Sequence, residues 1–228
     1  MNYVYALTRK AYEWALPSMR SLAEHDPKAR VFILAEDDEF PFPLPFKAEV
    51  INVSGQEYFP KDSVNYGNFF AYINMLKNCY PALLNVKKVI HLDADTIICD
   101  DPTPLWKTDV SGKWVAACEE VRSPYKPYGK HYYNMGVALF NLDQMRKDNI
   151  VPEMVEYINT VKMKYPDQDT MNWFGLKRDK FVDLDMRWNE CFATQYSDNP
   201  GIVHFCGMAD WWTRQSMFRK EYLDRYKA

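Results

Sequence analysis

The sequence predicts an α/β protein with a mostly parallel, Rossmann-like central sheet flanked by helices. Three observations predict it. Short runs rich in Val, Ile, Tyr and Phe alternate with helical stretches through the first half, which is the pattern of strand–helix–strand units. One run, "KVIHLD" (Lys88–Asp93), is apolar almost throughout, as strands covered on both faces are. The 228 residues, 47% of them apolar and 16% aromatic, suffice for one core of ordinary size.

The elements follow in order. "YVYAL" (Tyr3–Leu7) is the first strand, followed by a helix from about Tyr12 to His25. "RVFILA" (Arg30–Ala35) and "AEVINV" (Ala48–Val53) are strands, and the proline-dotted "EFPFPLPF" between them is loop. "NFFAYINMLKNCY" (Asn68–Tyr80) has helical spacing and is expected to stop at Pro81. After Lys88–Asp93 come strands at "KWVAAC" and "GVALFNL", then a helical region from Leu142 to Tyr165. The final part mixes short strands, such as "GIVHF", with a basic-aromatic helix from about Thr213. With no linker visible, residues 1–228 read as one domain.

Composition excludes several classes. A net charge of -3 offers no basic surface for nucleic acid or anionic membrane. No window approaches a transmembrane helix, and the N-terminal residues lack the pattern of a secretory signal. Cys79, Cys99, Cys118, Cys191 and Cys206 include no CxxC pair, and their odd number reads as reduced thiols in a cytoplasmic setting.

The chemistry concentrates where the Lys88–Asp93 strand ends. Ligands of open α/β sheets bind at the carboxyl ends of strands, and there Asp93 and Asp95 flank Ala94. Residues two apart in extended chain point to one side, about 6.5 Å apart. Two such carboxylates raise each other's pKa unless a cation lies between them, and a hard divalent ion prefers oxygen ligands. Ala94 keeps the turn slim beside a bulky ligand. Taken alone, an Asp-x-Asp is also an ordinary turn after a strand.

Four segments in order resemble glycosyltransferase family 8, the glycogenin-like and lipopolysaccharide-galactosyltransferase-like enzymes of the GT-A fold. They are the stretch from Lys88 to Cys118 containing "DAD", "YYNMGVALFNL" (Tyr132–Leu142), "YPDQDTMNWF" (Tyr165–Phe174) and "GIVHFCG" (Gly201–Gly207). The resemblance runs from Tyr3 to Trp212. It implies a GT-A domain with a nucleotide-binding half over roughly residues 1–110 and a sugar and acceptor half over 111–228. It also implies a metal-dependent retaining hexosyltransferase that takes a UDP-sugar as donor and a glycan, protein or lipid as acceptor.

The resemblance assigns residues. Asp93, Asp95 and His204 would bind Mn2+ or Mg2+, the imidazole shifting preference toward Mn2+. Ala6, Leu7 and Thr8 match the uracil-holding strand end, with Tyr12 as a stacking ring. Ala94 and Gly207 belong to the nucleotide-sugar site. Asn134 and Gly136 match contacts to the donor sugar, Asn134 through its donor and acceptor atoms and Gly136 by letting backbone approach a ligand. Met135, where relatives carry a small residue, reshapes the sugar pocket. Asp167 and Gln168 are the catalytic candidates facing the sugar, Asp167 to orient it or stabilise oxocarbenium character and Gln168 as a dipole. Asp169 reads as a helix-start residue and His91 as structural.

Two basic positions depart from the family pattern. Alignment puts Asn74 where a Lys or Arg is aimed at the donor, and Asp210 where a Lys meets the diphosphate. Arg214, Arg219 or Lys220 would have to compensate. The alternative function is therefore a catalytically impaired relative that still binds nucleotide-sugar or metal. A nucleotidyltransferase of related fold is set aside, because "YALTRKAYEW" has no glycine for a phosphate loop. The loop Glu119–Tyr133 is the acceptor-site candidate, by its tyrosines and prolines.

Overall fold

The structure is a computed structural model, and it describes residues 1–67, 72–122, 125–194, 197–206 and 218–227. The chain opens with strand β1 (Asn2–Ala6), a single 3-10 turn, helix α1 (Leu16–His25), and strands β2 (Arg30–Ala35) and β3 (Ala48–Asn52). Helix α2 (Tyr72–Met75), a 3-10 segment (Leu76–Cys79) and α3 (Tyr80–Leu83) lead to β4 (Lys88–Leu92). Next come β5 (Thr96–Ile98), α4 (Thr103–Trp106), β6 (Val115–Glu119) and β7 (Tyr133–Asn141). Helices α5 (Leu142–Lys147), α6 (Val151–Thr160) and α7 (Pro166–Lys177) precede β8 (Phe181–Asp183) and a 3-10 turn (Met186–Asn189). Strand β9 (Ile202–His204) and helix α8 (Lys220–Tyr226) complete the described elements.

Seven strands form one sheet in the order β3-β2-β1-β4-β7-β6-β8. All neighbours run parallel except β7, which is antiparallel to both β4 and β6. Alternation along each strand sends side chains to two cores. Val4, Phe32, Val89 and Phe140 pack on one face against Tyr80, Met154 and Met171 of the helices. Tyr5, Ile33, Ile90 and Leu139 pack on the other against Met19, Leu22 and Trp188. Eight of the nine residues of β7 are buried, which is what a strand covered on both faces requires.

Three expectations change. The first helix starts at Leu16 rather than Tyr12, because Pro17 sits in its first turn, where a missing N–H costs nothing. Pro81 does not end the second helical stretch; it lies in the first turn of α3, after the chain tightens to 3-10 geometry. The region from Leu142 breaks into α5 and α6 at Asn149, whose φ of 47° is left-handed. Residues 213–217 of the expected C-terminal helix lie outside the described residues, and α8 begins at Lys220.

Candidate active site

The site forms where β4 leaves the sheet. β1 runs beside β4 in the same direction, with Val4 opposite His91, so Ala6, Leu7, Thr8 and the Asp93–Asp95 turn emerge at one edge. The turn passes at once into β5, which pairs antiparallel with β9 and sets Thr96 opposite His204. This two-stranded ribbon is what carries His204, 109 positions after Asp95 in sequence (204 minus 95), to the two carboxylates. Thr96 Oγ1 donates to the Asp93 carbonyl at 2.8 Å, and it also meets Ser18 Oγ at 3.0 Å, which ties the turn to α1.

Asp93, Asp95 and His204 form the three-residue set able to hold a metal ion among the described residues, with ligand atoms within 4.8 Å of one another. His204 Nε2 lies 3.2 Å from Asp95 Oδ1 and 3.8 Å from Asp93 Oδ2. Burial alone would lower the His204 pKa, but the Asp95 and Asp93 charges outweigh it and hold the pKa up. The two oxygens of Asp93 have separate duties. Oδ1 accepts from Lys77 Nζ and from His91 Nε2, both at 2.9 Å, while Oδ2 faces His204. Against burial, which would raise it, Lys77, His91 and His204 hold the Asp93 carboxyl well below the usual carboxylate range. His91 is buried, and Tyr80 Oη lies 2.8 Å from its Nδ1. Its structural reading thus becomes specific, because the ring anchors Asp93. Two carboxylate oxygens and one imidazole nitrogen fit a divalent cation of the Mn2+ or Mg2+ type.

Gly136 is part of the same packing. Its carbonyl accepts from the Asp93 N–H at 2.7 Å. A β-carbon here would lie 2.1 Å from His204 Cε1 and 2.8 Å from Asp93 Oδ2. Glycine at this position makes room for the His204 and Asp93 side chains, a role that the expected sugar contact does not describe. Asn134 is likewise tied into protein. Its Oδ1 accepts from the Gly136 N–H and from Asn189 Nδ2, and its Nδ2 donates to Glu120, each at 2.9 Å.

Asp93, Asp95, Gly136 and His204 line a cavity of about 410 Å3 with Asn134, Asp167 and Gln168. That size suits a small ligand. Lys77 stands between the Asp93–Asp95 turn and the wall opposite, 2.9 Å from Asp93 Oδ1 and 3.1 Å from Asp167 Oδ2. Burial opposes its charge, but the two carboxylates prevail and raise its pKa, so it remains an ammonium. This corrects the alignment at Asn74. Both residues line the cavity, yet the cation enters one 3-10 turn later, at Lys77. Side chains three apart share one face of a helical stretch, so both reach the cavity from the same side.

Gln168 Oε1 accepts from the Met135 N–H at 3.0 Å. Asp169 is buried. Its carboxylate accepts from Tyr132 Oη at 2.5 Å, from the Tyr165 N–H at 2.9 Å and from Tyr125 Oη at 3.1 Å. The helix-start reading of Asp169 therefore holds, and the residue also braces two tyrosines of the cavity wall. Tyr12 offers no open ring face: it is 2% exposed, packs on Phe40 and accepts from the Glu36 N–H through its hydroxyl. Ala6 and Thr8 are half-buried and Leu7 is buried. Gly207, Asp210 and Arg214 lie outside the described residues. Arg219 donates to buried Glu190 at 2.6 Å, Lys220 pairs with Asp224, and neither lines the cavity.

Sequence reasoning missed Lys77, Glu120, Arg122 and Asn189. Glu120 and Arg122 form a close pair, with Arg122 Nη2 2.6 Å from Glu120 Oε2 at the cavity wall. Their position within the tyrosine-rich loop was the available signal. Asn189, in "RWNE", gave none.

The fold and this site define a GT-A glycosyltransferase architecture. The chain belongs to glycosyl transferase family 8, whose model matches residues 43–216. Among its relatives, General stress protein A of Bacillus subtilis is 27% identical over 170 residues, covering 62% of this chain and 58% of that protein. A putative glycosyltransferase of Haemophilus influenzae is 29% identical over 180 residues, covering 69% of this chain and 52% of that protein. The chain thus spans a little over half the length of these curated relatives. Among solved structures, the galactosyltransferase LgtC, in complex with donor and acceptor sugar analogs, superposes with a TM-score of 0.75 at 19% identity. That match covers 100% of this chain and 95% of that one. The bifunctional glycosyltransferase WbbM superposes with a TM-score of 0.79 at 15% identity, over 100% of this chain and 49% of that one. Among the described residues, no helix is long and apolar enough to cross a membrane.

Proposed function

We propose that this chain is a metal-dependent, retaining glycosyltransferase that moves a hexose from a UDP-sugar to a glycan, protein or lipid acceptor. The observation that carries the reading is a convergence: Asp93, Asp95 and His204 line one cavity with Asp167 and Gln168. Mn2+ or Mg2+ bound by the first three would neutralise a diphosphate and favour its departure.

The protein's own residues supply the rest. Lys77 and His91 hold Asp93 by Oδ1 and leave Oδ2 for the cation. Lys77 also anchors Asp167 in the cavity wall, where Asp167 orients sugar hydroxyls and favours positive charge developing at the anomeric carbon. The Gln168 oxygen is engaged by the Met135 N–H and its side chain also hydrogen-bonds Tyr132, which fixes the amide in the cavity wall. Gln168 is accordingly a fixed dipole beside the sugar. Ala6, Leu7 and Thr8, at the same sheet edge, are the proposed uracil contacts. Free thiols at all five cysteines fit a reducing, cytoplasmic setting.

The impaired-relative reading rested on Asn74 and Asp210. Lys77 removes the first support, since a buried cation does stand beside the metal turn. The test is a thermal melt with UDP, with and without Mn2+. UDP raises the Tm of the wild type only when the ion is present, and Asp95→Asn abolishes that dependence. Equal stabilisation of wild type and mutant overturns the proposal.

A further inference from the structure

One backbone N–H fixes the orientation of a chain of side chains. The Gly136 N–H can only donate, and it lies 2.9 Å from Asn134 Oδ1, so that atom is the oxygen of the amide. The other end of the amide faces Glu120 Oε2 at 2.9 Å. Reversing the amide would set donor against donor at Gly136 and acceptor against carboxylate at Glu120. Asn189 must then present its nitrogen to Asn134 Oδ1, at 2.9 Å, which turns its own oxygen toward His204 Nδ1 at 2.8 Å. An oxygen there requires a hydrogen on Nδ1. The lone pair of the neutral ring is therefore on Nε2, the nitrogen 3.2 Å from Asp95 Oδ1.

We infer that Asn189 is a positioning residue: it holds His204 in the Nδ1–H tautomer and so presents Nε2 to the divalent cation shared with Asp93 and Asp95. The inference rests on the metal reading above. Its force comes from what the site would do otherwise. Both carboxylates near Nε2 are acceptors, and each draws the ring hydrogen onto Nε2, where it blocks coordination. The Asn189 oxygen is the acceptor opposing them at Nδ1. The relay is protected from water: Glu120 is 4% exposed, Asn134 6%, Asn189 4% and His204 2%. Its far end is fixed by Arg122, whose Nε and Nη2 donate to the Glu120 carboxylate at 3.0 and 2.6 Å. Asn134, predicted as a sugar contact, becomes the strut that aims Asn189.

The full chain tests this through Mn2+ titration, followed by the electron paramagnetic resonance of the free ion. Asn189→Leu weakens Mn2+ binding about 10- to 100-fold, the usual cost of removing the partner that orients a ligating histidine. Asn189→Asp keeps an acceptor for Nδ1–H but loses the donor to Asn134 Oδ1, so it restores part of the affinity. Nitrogen-15 NMR of the His204 ring in the Mg2+-loaded wild type, which needs no mutant to fold, shows the hydrogen on Nδ1. A folded Asn189→Leu that binds Mn2+ as the wild type does overturns the inference and leaves the metal site standing, whereas a hydrogen on Nε2 overturns the inference and removes His204 from the ligand set. Wild type and His204→Ala binding Mn2+ equally overturns the metal reading and this inference with it.

Discussion

Gly136 and His204 occupy complementary volume: a β-carbon on the one would stand 2.1 Å from Cε1 of the other. No real contact is that short, so in Gly136→Ala either the imidazole or strand β7 has to move. The ring is held on its other side by Asn189 and the carboxylates, and β7 is paired on both edges. The metal site is the part able to give. Gly136→Ala is expected to weaken Mn2+ binding by about tenfold or more. Calorimetric titration of the ion into the variant measures it; wild-type affinity would show that the seat is not limiting.

Lys77 is the second strut. Lys77→Met leaves Asp93 and Asp167 beside each other with no cation between them. Removing one partner of a buried pair costs about 3 kcal/mol at the low end, which is the appropriate end because Asp93 keeps 30% of its side chain exposed. That corresponds to a fall of about 6–12 °C in Tm for a chain of this size. Mn2+ supplies the missing charge to Asp93, so it should raise the Tm of the variant more than that of the wild type. Melts of both proteins with and without Mn2+ decide this, and an equal rise would separate Lys77 from the metal turn.

Much of this was legible in the sequence, and what was not has a physical reason. Strands β1, β2, β4 and β7 announce themselves because both faces are buried and the apolar run is nearly unbroken. The Asp93–Asp95 turn and His204 were found by motif. Strand β5 was missed because three residues carry no period. The contact of His204 with the turn depends on that strand. Lys77 was missed because the alignment set the basic position at Asn74, three residues earlier, across a helix-to-strand spacing that differs slightly from the family pattern. Asn189 could not be found at all: a neutral amide that acts by orienting another side chain leaves no charge pattern to read.

Metal and proton compete for His204. Its pKa is raised above the ordinary histidine value of about 6.5. Between that value and its folded pKa the folded state binds more protons than the unfolded state. The stability it contributes to the metal-free protein is therefore complete below about pH 6.5 and lost as pH rises through the folded pKa. His91 has the opposite sign. Burial and Lys77 lower its pKa, so its contribution is present above about pH 6.5 and is lost as pH falls. A bound cation needs His204 neutral. The rise in Tm produced by Mn2+ should then grow from pH 6 to pH 8 in the wild type and stay flat in His204→Gln. A flat wild-type response would remove His204 from the ligand set.

The engaged oxygen of Gln168 bears on stereochemistry. The Met135 N–H holds Gln168 Oε1 in place, and a neutral amide is a weaker nucleophile than a carboxylate. Asp167 is the carboxylate that lines the cavity near it, and Lys77 holds that group in the wall. An α-linked UDP-sugar should give an α-linked product, read from the anomeric proton by NMR. Asp167→Asn should lower kcat by about two orders of magnitude or more, as for loss of a preorganised electrostatic group. A β-linked product would assign Asp167 to general-base catalysis instead.

Phe192 gives the most direct route to the acceptor. It is 48% exposed, the most exposed large apolar side chain of the described residues, and it lines the cavity alongside the charged residues Asp93, Asp95 and Asp167. Tyr125 and Tyr165 also line that cavity, with ring centroids 5.5 Å apart. On the proposed function, a nucleotide-sugar would sit at the Asp93–Asp95 turn and leave this aromatic lip for the molecule that arrives second. Covering the open half of the phenyl ring is worth about 1 kcal/mol, or about fivefold in affinity. Phe192→Ala should therefore raise the KM for alkyl and aryl glycosides used as acceptors by about fivefold. Hydrolysis of the UDP-sugar measured without acceptor should stay unchanged. Steady-state kinetics separates the two quantities. If donor hydrolysis falls in parallel with transfer, Phe192 supports the donor site, and the acceptor enters past the Glu119–Tyr133 loop instead.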